Sequence, residues 1–323
     1  MDDIEPEAMK DPFGRHITYL RLSVTELCNL RCRYCMPAAG IEKRRHEDML
    51  TEEETVRAVK AAASLGLSKV RLTGGEPLVK KNILSIAEKV AAVPDVRELC
   101  LTTNGLGLPK LAKPLRAAGV RRVNVSLDTL DPEKYAYITR IGDLNDALRG
   151  LEAALDAGFE RVKINAVLIR GFNDDEIPAL AALTRRWPVD VRFIELMPMG
   201  GDLSQGAFLP GDAVLEKLPE LEKAPEDGAV ARLYRLPRAQ GQVGIISPLS
   251  CRFCDRCDRI RLTADGRIKP CLHGQAEYPL KGLDEDGMRR QFEAAILAKP
   301  PWHGELSEVA PSQAGRPMHR IGG

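Results

Sequence analysis

Long apolar runs are missing from this sequence. No stretch reaches the ~18 consecutive apolar residues of a membrane span. The opening MDDIEPEAMKDPFGRH is acidic and polar where an export leader would be basic and then apolar, so a cytoplasmic, membrane-free protein is the expectation. Net charge is also scarce: 47 Lys and Arg face 46 Asp and Glu, a formal +1. That excludes a protein that coats nucleic acid through bulk charge and leaves any anion site to local clusters of cations. Histidine is rare, with five residues and no metal-ligand spacing, and His16 and His46 read as surface residues. Solenoid repeats and low-complexity segments are absent. What is present is globular composition, 44% hydrophobic and 29% charged over 323 residues, enough for one large domain and a smaller one. Cysteine is the exception to this plainness. Of eight, six fall in two tight groups, and in a reducing compartment such groups read as ligands or reactive thiols rather than disulfides.

Short β-branched runs alternate with helix-period segments over the first part of the chain: YLRLSV, KVRLTG, ELCLTT, RVNVSL, RVKINAVL and DVRFIEL. Six βα units predict a parallel sheet. Thr51 with the acids after it reads as a helix start, and Gly66 as the matching stop. The strands end alike in polar or Gly-rich loops (TGGEP, TTNG, SLD, ELMPMG), as on the catalytic rim of a barrel, so the fold expected is α/β, an incomplete (βα)6 TIM-type barrel spanning 1–198. From 199 to 323 the pattern predicts a smaller α+β domain: an acidic helix near 212–223, strands at ARLYRL, VGIIS and RIRLT, and a late helix near 286–297. Asp265-Gly266 reads as a two-residue hairpin pairing 264 with 267, which puts Cys271 opposite Ile260. Cys100, between two leucines on a strand, reads as a core thiol.

Cys28-Asn-Leu-Arg-Cys32-Arg-Tyr-Cys35 puts three thiols within eight residues. A structural zinc site closes with four ligands, whereas three thiolates on a cubane cluster leave one iron open for an outside ligand. Zinc with a distant fourth ligand stays possible on spacing alone. The second group is Cys251-Arg-Phe-Cys254-Asp-Arg-Cys257, followed by Cys271, with Cys251 and His273 as further ligand candidates; zinc suits it as well as iron does. In Gly74-Gly75-Glu76-Pro77 the glycines can expose backbone polar groups to a close ligand, and Glu76 can meet an ammonium group.

The C-x3-C-x2-C loop, with Tyr34 before its last cysteine, and the GGEP segment resemble those of radical S-adenosylmethionine enzymes. FCDRC, then Arg259-Ile-Arg261-Leu, then Cys271-Leu resemble the GTP cyclases of molybdenum-cofactor biosynthesis. The likeness runs from Phe13-Gly-Arg15 to the terminal Ile321-Gly322-Gly323. It implies two 4Fe–4S clusters, on Cys28, Cys32 and Cys35 and on Cys254, Cys257 and Cys271, the second binding the guanine base. It implies S-adenosylmethionine contacts at Tyr34, Gly75, Ser126 and Met197. GTP contacts would fall on Arg21, Arg71, Thr102, Lys163, Arg259 and Arg261; Arg192, on the sixth strand, is a further candidate. The double glycine, Gly322 and Gly323, would assist catalysis, and no acid–base pair is assigned. The implied reaction turns GTP into 3′,8-cyclo-7,8-dihydro-GTP, with an external flavodoxin- or ferredoxin-like electron donor, delivery of product to cyclic pyranopterin monophosphate synthase, and a homodimeric enzyme. Cys251 departs from that family's pattern. A peptide-modifying radical enzyme would share the first motif but would not predict RIR or the terminal glycines.

Overall fold

The first six strands alternate apolar and polar side chains, and that alternation decides which face meets the helices. In a computed structural model, which describes residues 8–203, 206–225, 230–307 and 309–322, they are β1 (Tyr19–Ser23), β2 (Lys69–Thr73), β3 (Glu98–Thr103), β4 (Val120–Ser126), β5 (Arg161–Leu168) and β6 (Val189–Glu195). The crossovers are α1 (Glu52–Ala63), α2 (Ile83–Ala91), α3 (Leu108–Ala117), α4 (Pro132–Thr139), α5 (Leu144–Asp156) and α6 (Ile177–Arg186), and each strand runs parallel to the next. On β5, Val162, Ile164, Ala166 and Leu168 are buried in the main core, while Lys163, Asn165 and Val167 face the inner cavity. Burying a Val, Ile or Leu side chain contributes about 1.5–3 kcal/mol, so one face drives folding and the other is left for chemistry. Thr51 caps α1 in a capping box with Glu54, and Gly66 at φ +85° stops it, with Gly66 N–H donating to Ala63 O at 2.8 Å and Leu67 N–H to Ala62 O at 3.3 Å.

The remaining elements are α7 (Ala213–Lys217), β7 (Glu222–Lys223), β8 (Arg232–Arg235), β9 (Val243–Ile246), β10 (Arg259–Leu262), β11 (Arg267–Lys269), β12 (Tyr278–Pro279), α8 (Glu285–Leu297) and α9 (Met318–Ile321). Their strands extend the barrel's sheet at both edges, in the order β12-β11-β10-β1-β2-β3-β4-β5-β6-β9-β8-β7. β10 is parallel to β1 and β9 parallel to β6, so the barrel is open, with a hairpin flanking each edge. Two expectations need correction. The helix expected near 212–223 is only the five residues of α7, since Leu218 precedes Pro219 and is held out of the helical region. The β10–β11 hairpin pairs Arg261 with Lys269 and Leu262 with Ile268, one step from the expected register. Its loop has three residues and ends on Gly266 at φ +75°, the bulged hairpin type. That register carries Cys271 past Arg259 rather than Ile260. Among the described residues no helix is long and apolar enough to cross a membrane.

Candidate functional site

The strand-end loops and the inner strand faces enclose a cavity of about 420 Å³. Cys28, Cys32 and Cys35 line it from the loop after β1, together with Tyr34. Backbone bonds pin that loop to the end of α4: Arg31 N–H donates to Thr139 O at 3.0 Å, and Arg33 N–H to Ile138 O at 2.9 Å. On its other side the loop lies against GGEP. Gly75 N–H donates to Thr25 O and Glu76 N–H to Leu27 O, both at 2.8 Å. These two N–H groups therefore serve the protein itself. A Cβ on Gly75 would stand 2.5 Å from Glu26 O and 2.6 Å from Leu27 O, closer than any real contact, so glycine is required for the two chains to touch. Gly75→Ala is expected to push the cysteine loop off the sheet and to remove most S-adenosylmethionine cleavage. Cleavage at the parental rate, read by 5′-deoxyadenosine release, would show the close approach to be dispensable.

Glu76 lines the cavity, but its oxygens already accept from Leu78 N–H at 3.0 Å, the Thr103 hydroxyl at 2.7 Å and Asn104 N–H at 2.7 Å. Burial pushes its carboxyl up to about 7 against those bonds. Its evident work is to tie the β2 and β3 loops together, with one acceptor position remaining on Oε2. The Tyr34 hydroxyl donates to Asp128 Oδ2 at 2.7 Å, and burial followed by the Asp128 charge pushes that phenol well above its usual range. Ser126 and Met197 complete this rim. Asp128, read only as part of a polar strand end, gains a role as the partner that orients Tyr34.

Lower in the barrel the lining turns cationic. Register places Arg21 between Arg71 and Arg261, and Tyr19 between Lys69 and Arg259. Arg71 donates from Nε to the Tyr19 hydroxyl and from Nη1 to Leu101 O at 3.0 Å, with Thr102 Oγ1 at 3.4 Å. Although burial works against it, the Arg71, Arg21 and Arg259 charges hold the Tyr19 phenol below its ordinary value. Burial, then the neighbouring Arg21 and Arg259 charges, push Arg261 down to about 9; burial pushes Arg21 to about 10. Guanidinium groups stay protonated at neutral pH, so these shifts express how unfavourable the crowded cations are without an anion. On the facing wall Lys163 and Arg192 stand 3.7 and 3.3 Å from Asp190 Oδ2. Guanidinium forks fixed in this way match phosphate oxygens, which a mobile surface lysine does not.

Cys254, Cys257 and Cys271 line the same cavity from the side of β10. Arg15 braces them from outside, its Nη1 donating to Cys254 O at 2.6 Å and its Nη2 to Pro300 O at 2.7 Å. Buried Lys299 donates to Arg259 O at 2.7 Å and Pro270 O at 2.8 Å. Burial opposes it, but the Lys299 and Arg259 charges hold the Cys257 thiol below its usual range, which favours the thiolate a metal would take. Neither set is bridged by a disulfide. Both sets of three thiols are unbridged and line one space, although among the described residues no three Cys, His, Asp or Glu side chains stand grouped as ligands of one metal ion. Cys251 is exposed and off the cavity wall. Cys100 is buried and likewise off the wall, donating to Glu98 Oε1 at 2.8 Å. His273 lines the cavity edge-on to His303, with 5.2 Å between ring centroids, and its Nδ1 meets Ser312 Oγ at 2.9 Å. Nothing in the sequence spacing announced His303 or Lys299, because both come from the stretch after α8.

Gly322 is also drawn into the site. Arg261 Nη1 donates to Gly322 O at 2.5 Å, and a Cβ on Gly322, at φ +84°, would stand 2.5 Å from Thr73 Oγ1. His319 Nδ1 lies 3.2 Å from Cys35 O, so this segment touches both walls. Gly323 lies outside the described residues.

Comparison with known proteins identifies the family. Residues 22–184 match the Radical SAM superfamily and residues 189–305 the Molybdenum Cofactor Synthesis C family. A GTP 3′,8-cyclase of Peptoclostridium acidaminophilum is 50% identical over 277 residues, 84% of this chain and 85% of that protein. Those of Alkaliphilus oremlandii and Pelotomaculum thermopropionicum are 43% and 48% identical, each matched over 98% of this chain and 100% of theirs. Among solved structures, Streptococcus suis SuiB bound to S-adenosylmethionine superposes with a TM-score of 0.61 at 15% identity, over 83% of this chain and 64% of that one, which shows the shared fold. With relatives this similar over nearly its whole length, the chain belongs to the GTP 3′,8-cyclase family of radical S-adenosylmethionine enzymes, which acts in molybdenum-cofactor biosynthesis.

Proposed function

We propose that the chain binds S-adenosylmethionine and GTP in this single cavity and closes a bond between ribose C3′ and guanine C8, giving 3′,8-cyclo-7,8-dihydro-GTP. The observation that carries the reading is that both cysteine sets and the crowded cations line one space. Cys28, Cys32 and Cys35 would hold a 4Fe–4S cluster, with Tyr34, Gly75, Glu76, Ser126 and Met197 around the S-adenosylmethionine. Cys254, Cys257 and Cys271 would hold a second 4Fe–4S cluster facing the guanine. Bound S-adenosylmethionine, given one electron, supplies a 5′-deoxyadenosyl radical that removes a hydrogen atom.

The remaining work falls to the protein. Arg21, Arg71, Arg259 and Arg261 on one wall, with Thr102, Lys163 and Arg192 towards the other, would grip the triphosphate and hold C3′ open to abstraction. Closing the ring leaves an unpaired electron on guanine, which one further electron and a proton quench. Fixed cations around the nucleotide place the reacting atoms and keep water away. Gly322 would reach the nucleotide beside its Arg261 contact, and the double glycine, Gly322 and Gly323, would assist catalysis. On this reading residues 1–198 generate the radical and share the grip on the triphosphate with 199–323, which would hold the second cluster. An external flavodoxin- or ferredoxin-like donor, transfer of product to cyclic pyranopterin monophosphate synthase, a homodimer and a cytoplasmic location complete the proposal.

The test is anaerobic incubation of reconstituted protein with dithionite, S-adenosylmethionine and GTP, followed by mass spectrometry. Deoxyadenosine and cyclised nucleotide should appear together and only with GTP. Deoxyadenosine without a nucleotide product would retain the radical chemistry and discard GTP as the substrate.

A further inference from the structure

Segment 311–322 crosses the β10–β11 hairpin before Gly322 enters the site, and its fastening is denser than a passive crossing needs. Arg316 makes a two-pronged contact with Glu277, Nε to Oε1 at 2.6 Å and Nη2 to Oε2 at 2.7 Å. Its third nitrogen, Nη1, spans both oxygens of Asp265 at 2.9 and 2.8 Å. Asp265 belongs to the hairpin's own turn and also pairs with Arg44 at 2.9 Å. Fully buried Lys269, on β11, donates to Ala314 O at 3.0 Å and stands 3.4 Å from Glu277 Oε1. One guanidinium thus occupies two carboxylates, Asp265 in the turn of the hairpin that carries Arg261 and Glu277 just before β12, which pairs with β11.

We infer that Arg316 is a positioning residue whose clamp on Asp265 and Glu277 sets the register in which Gly322 is delivered to Arg261. The inference rests on the proposed role of the double glycine in cyclisation. The physical argument is one of reach. A free segment loses conformational entropy each time it enters the cavity, whereas a segment clamped six residues before Gly322 has only one short turn, α9, left to place. A planar fork on two carboxylates fixes direction as well as distance, which a lysine cannot do.

The experiment compares the full-length parent with Arg316→Ala, Arg316→Lys, Glu277→Gln and a form lacking Gly322 and Gly323, all reconstituted. Arg316→Ala is expected to lower cyclised product by on the order of tenfold or more, while deoxyadenosine release stays within about twofold. That uncoupling is a readout that mere loss of stability would not produce. Arg316→Lys should fall between, and adding Arg316→Ala to the shortened form should cost nothing further, because both act through one unit. Amide exchange at 319–321 should quicken in Arg316→Ala by on the order of tenfold. Parental coupling in Arg316→Ala alongside a crippled shortened form would overturn the clamp and leave the double-glycine role intact. Normal cyclisation by the shortened form would instead overturn that role. If Arg316→Ala fails to fold, Glu277→Gln decides: uncoupling and faster exchange support the clamp, and parental behaviour overturns it.

Discussion

Cys32→Ala is expected to abolish S-adenosylmethionine cleavage, whereas Cys271→Ala is expected to keep cleavage and lose cyclisation. The asymmetry comes from where the thiols sit. Cys32 belongs to the loop pinned between α4 and GGEP, and burial pushes its thiol well above the usual range, with the Asp128 charge adding to this. Such a thiol becomes a ligand only by giving its proton up to a bound metal. With two thiolates left at a site that would need three, the cluster proposed there would be lost, and the rate should fall by more than roughly a thousandfold, about 4 kcal/mol in the barrier. Cys271 lines the cavity from beyond β11. Its loss should free the base end of the nucleotide, so deoxyadenosine would form without a cyclised partner. Following both products in one anaerobic assay separates the cases; cyclisation at the parental rate by either variant would remove that cysteine from its assigned set.

The barrel strands were legible because their period is two and their inner faces are polar: Lys163 and Asn165 alternate with Val162, Ile164 and Ala166 on β5. The first cysteine group was legible because Cys28, Cys32 and Cys35 share one loop, whereas the grouping of Cys254 and Cys257 with Cys271 came from the resemblance. Features depending on distant pairing could not be read. The parallel contact of β10 with β1 joins Arg259 to Tyr19, and no local period records a pairing across so much chain. The hairpin register was misread by one because Asp-Gly suits a two-residue turn as well as the three-residue loop that forms. GGEP was recognised, but not the close approach that its glycines also allow. Its glycines admit the neighbouring cysteine loop, and this follows only once Thr25 O and Leu27 O are seen against it. Arg15 and Lys299 brace the second cysteine set through backbone carbonyls, contacts that any basic residue could make and that leave no motif.

Arg261→Ala should cost GTP turnover heavily while leaving the nucleotide-free protein no less stable. Burial pushes Arg261 down to about 9, with Arg21 and Arg259 adding to it. For a base whose folded value lies below its ordinary one, the folded state holds fewer protons than the unfolded across the interval between the two values. The penalty is then fully present below about 9 and is relieved as pH rises beyond it. At neutral pH the charged guanidinium is therefore a liability until an anion arrives. Alanine removes that liability, and the thermal midpoint without nucleotide is expected to hold or rise despite the lost bond to Gly322 O. With GTP the order reverses. A ligand at a hundred times its dissociation constant stabilises the parent by about 2.7 kcal/mol, and a charge-assisted bond contributes about 1.5–3 kcal/mol, so the variant should lose most of the GTP-induced rise. In kcat/KM the loss should reach on the order of a hundredfold, split between weaker binding and uncoupled radical formation, since Arg261 reaches both the cationic wall and Gly322. Melting curves with and without GTP, beside coupled product analysis, check each part. A variant that melts well below the parent without GTP, yet keeps the parental GTP shift, would mean that Arg261 serves the fold and not the nucleotide.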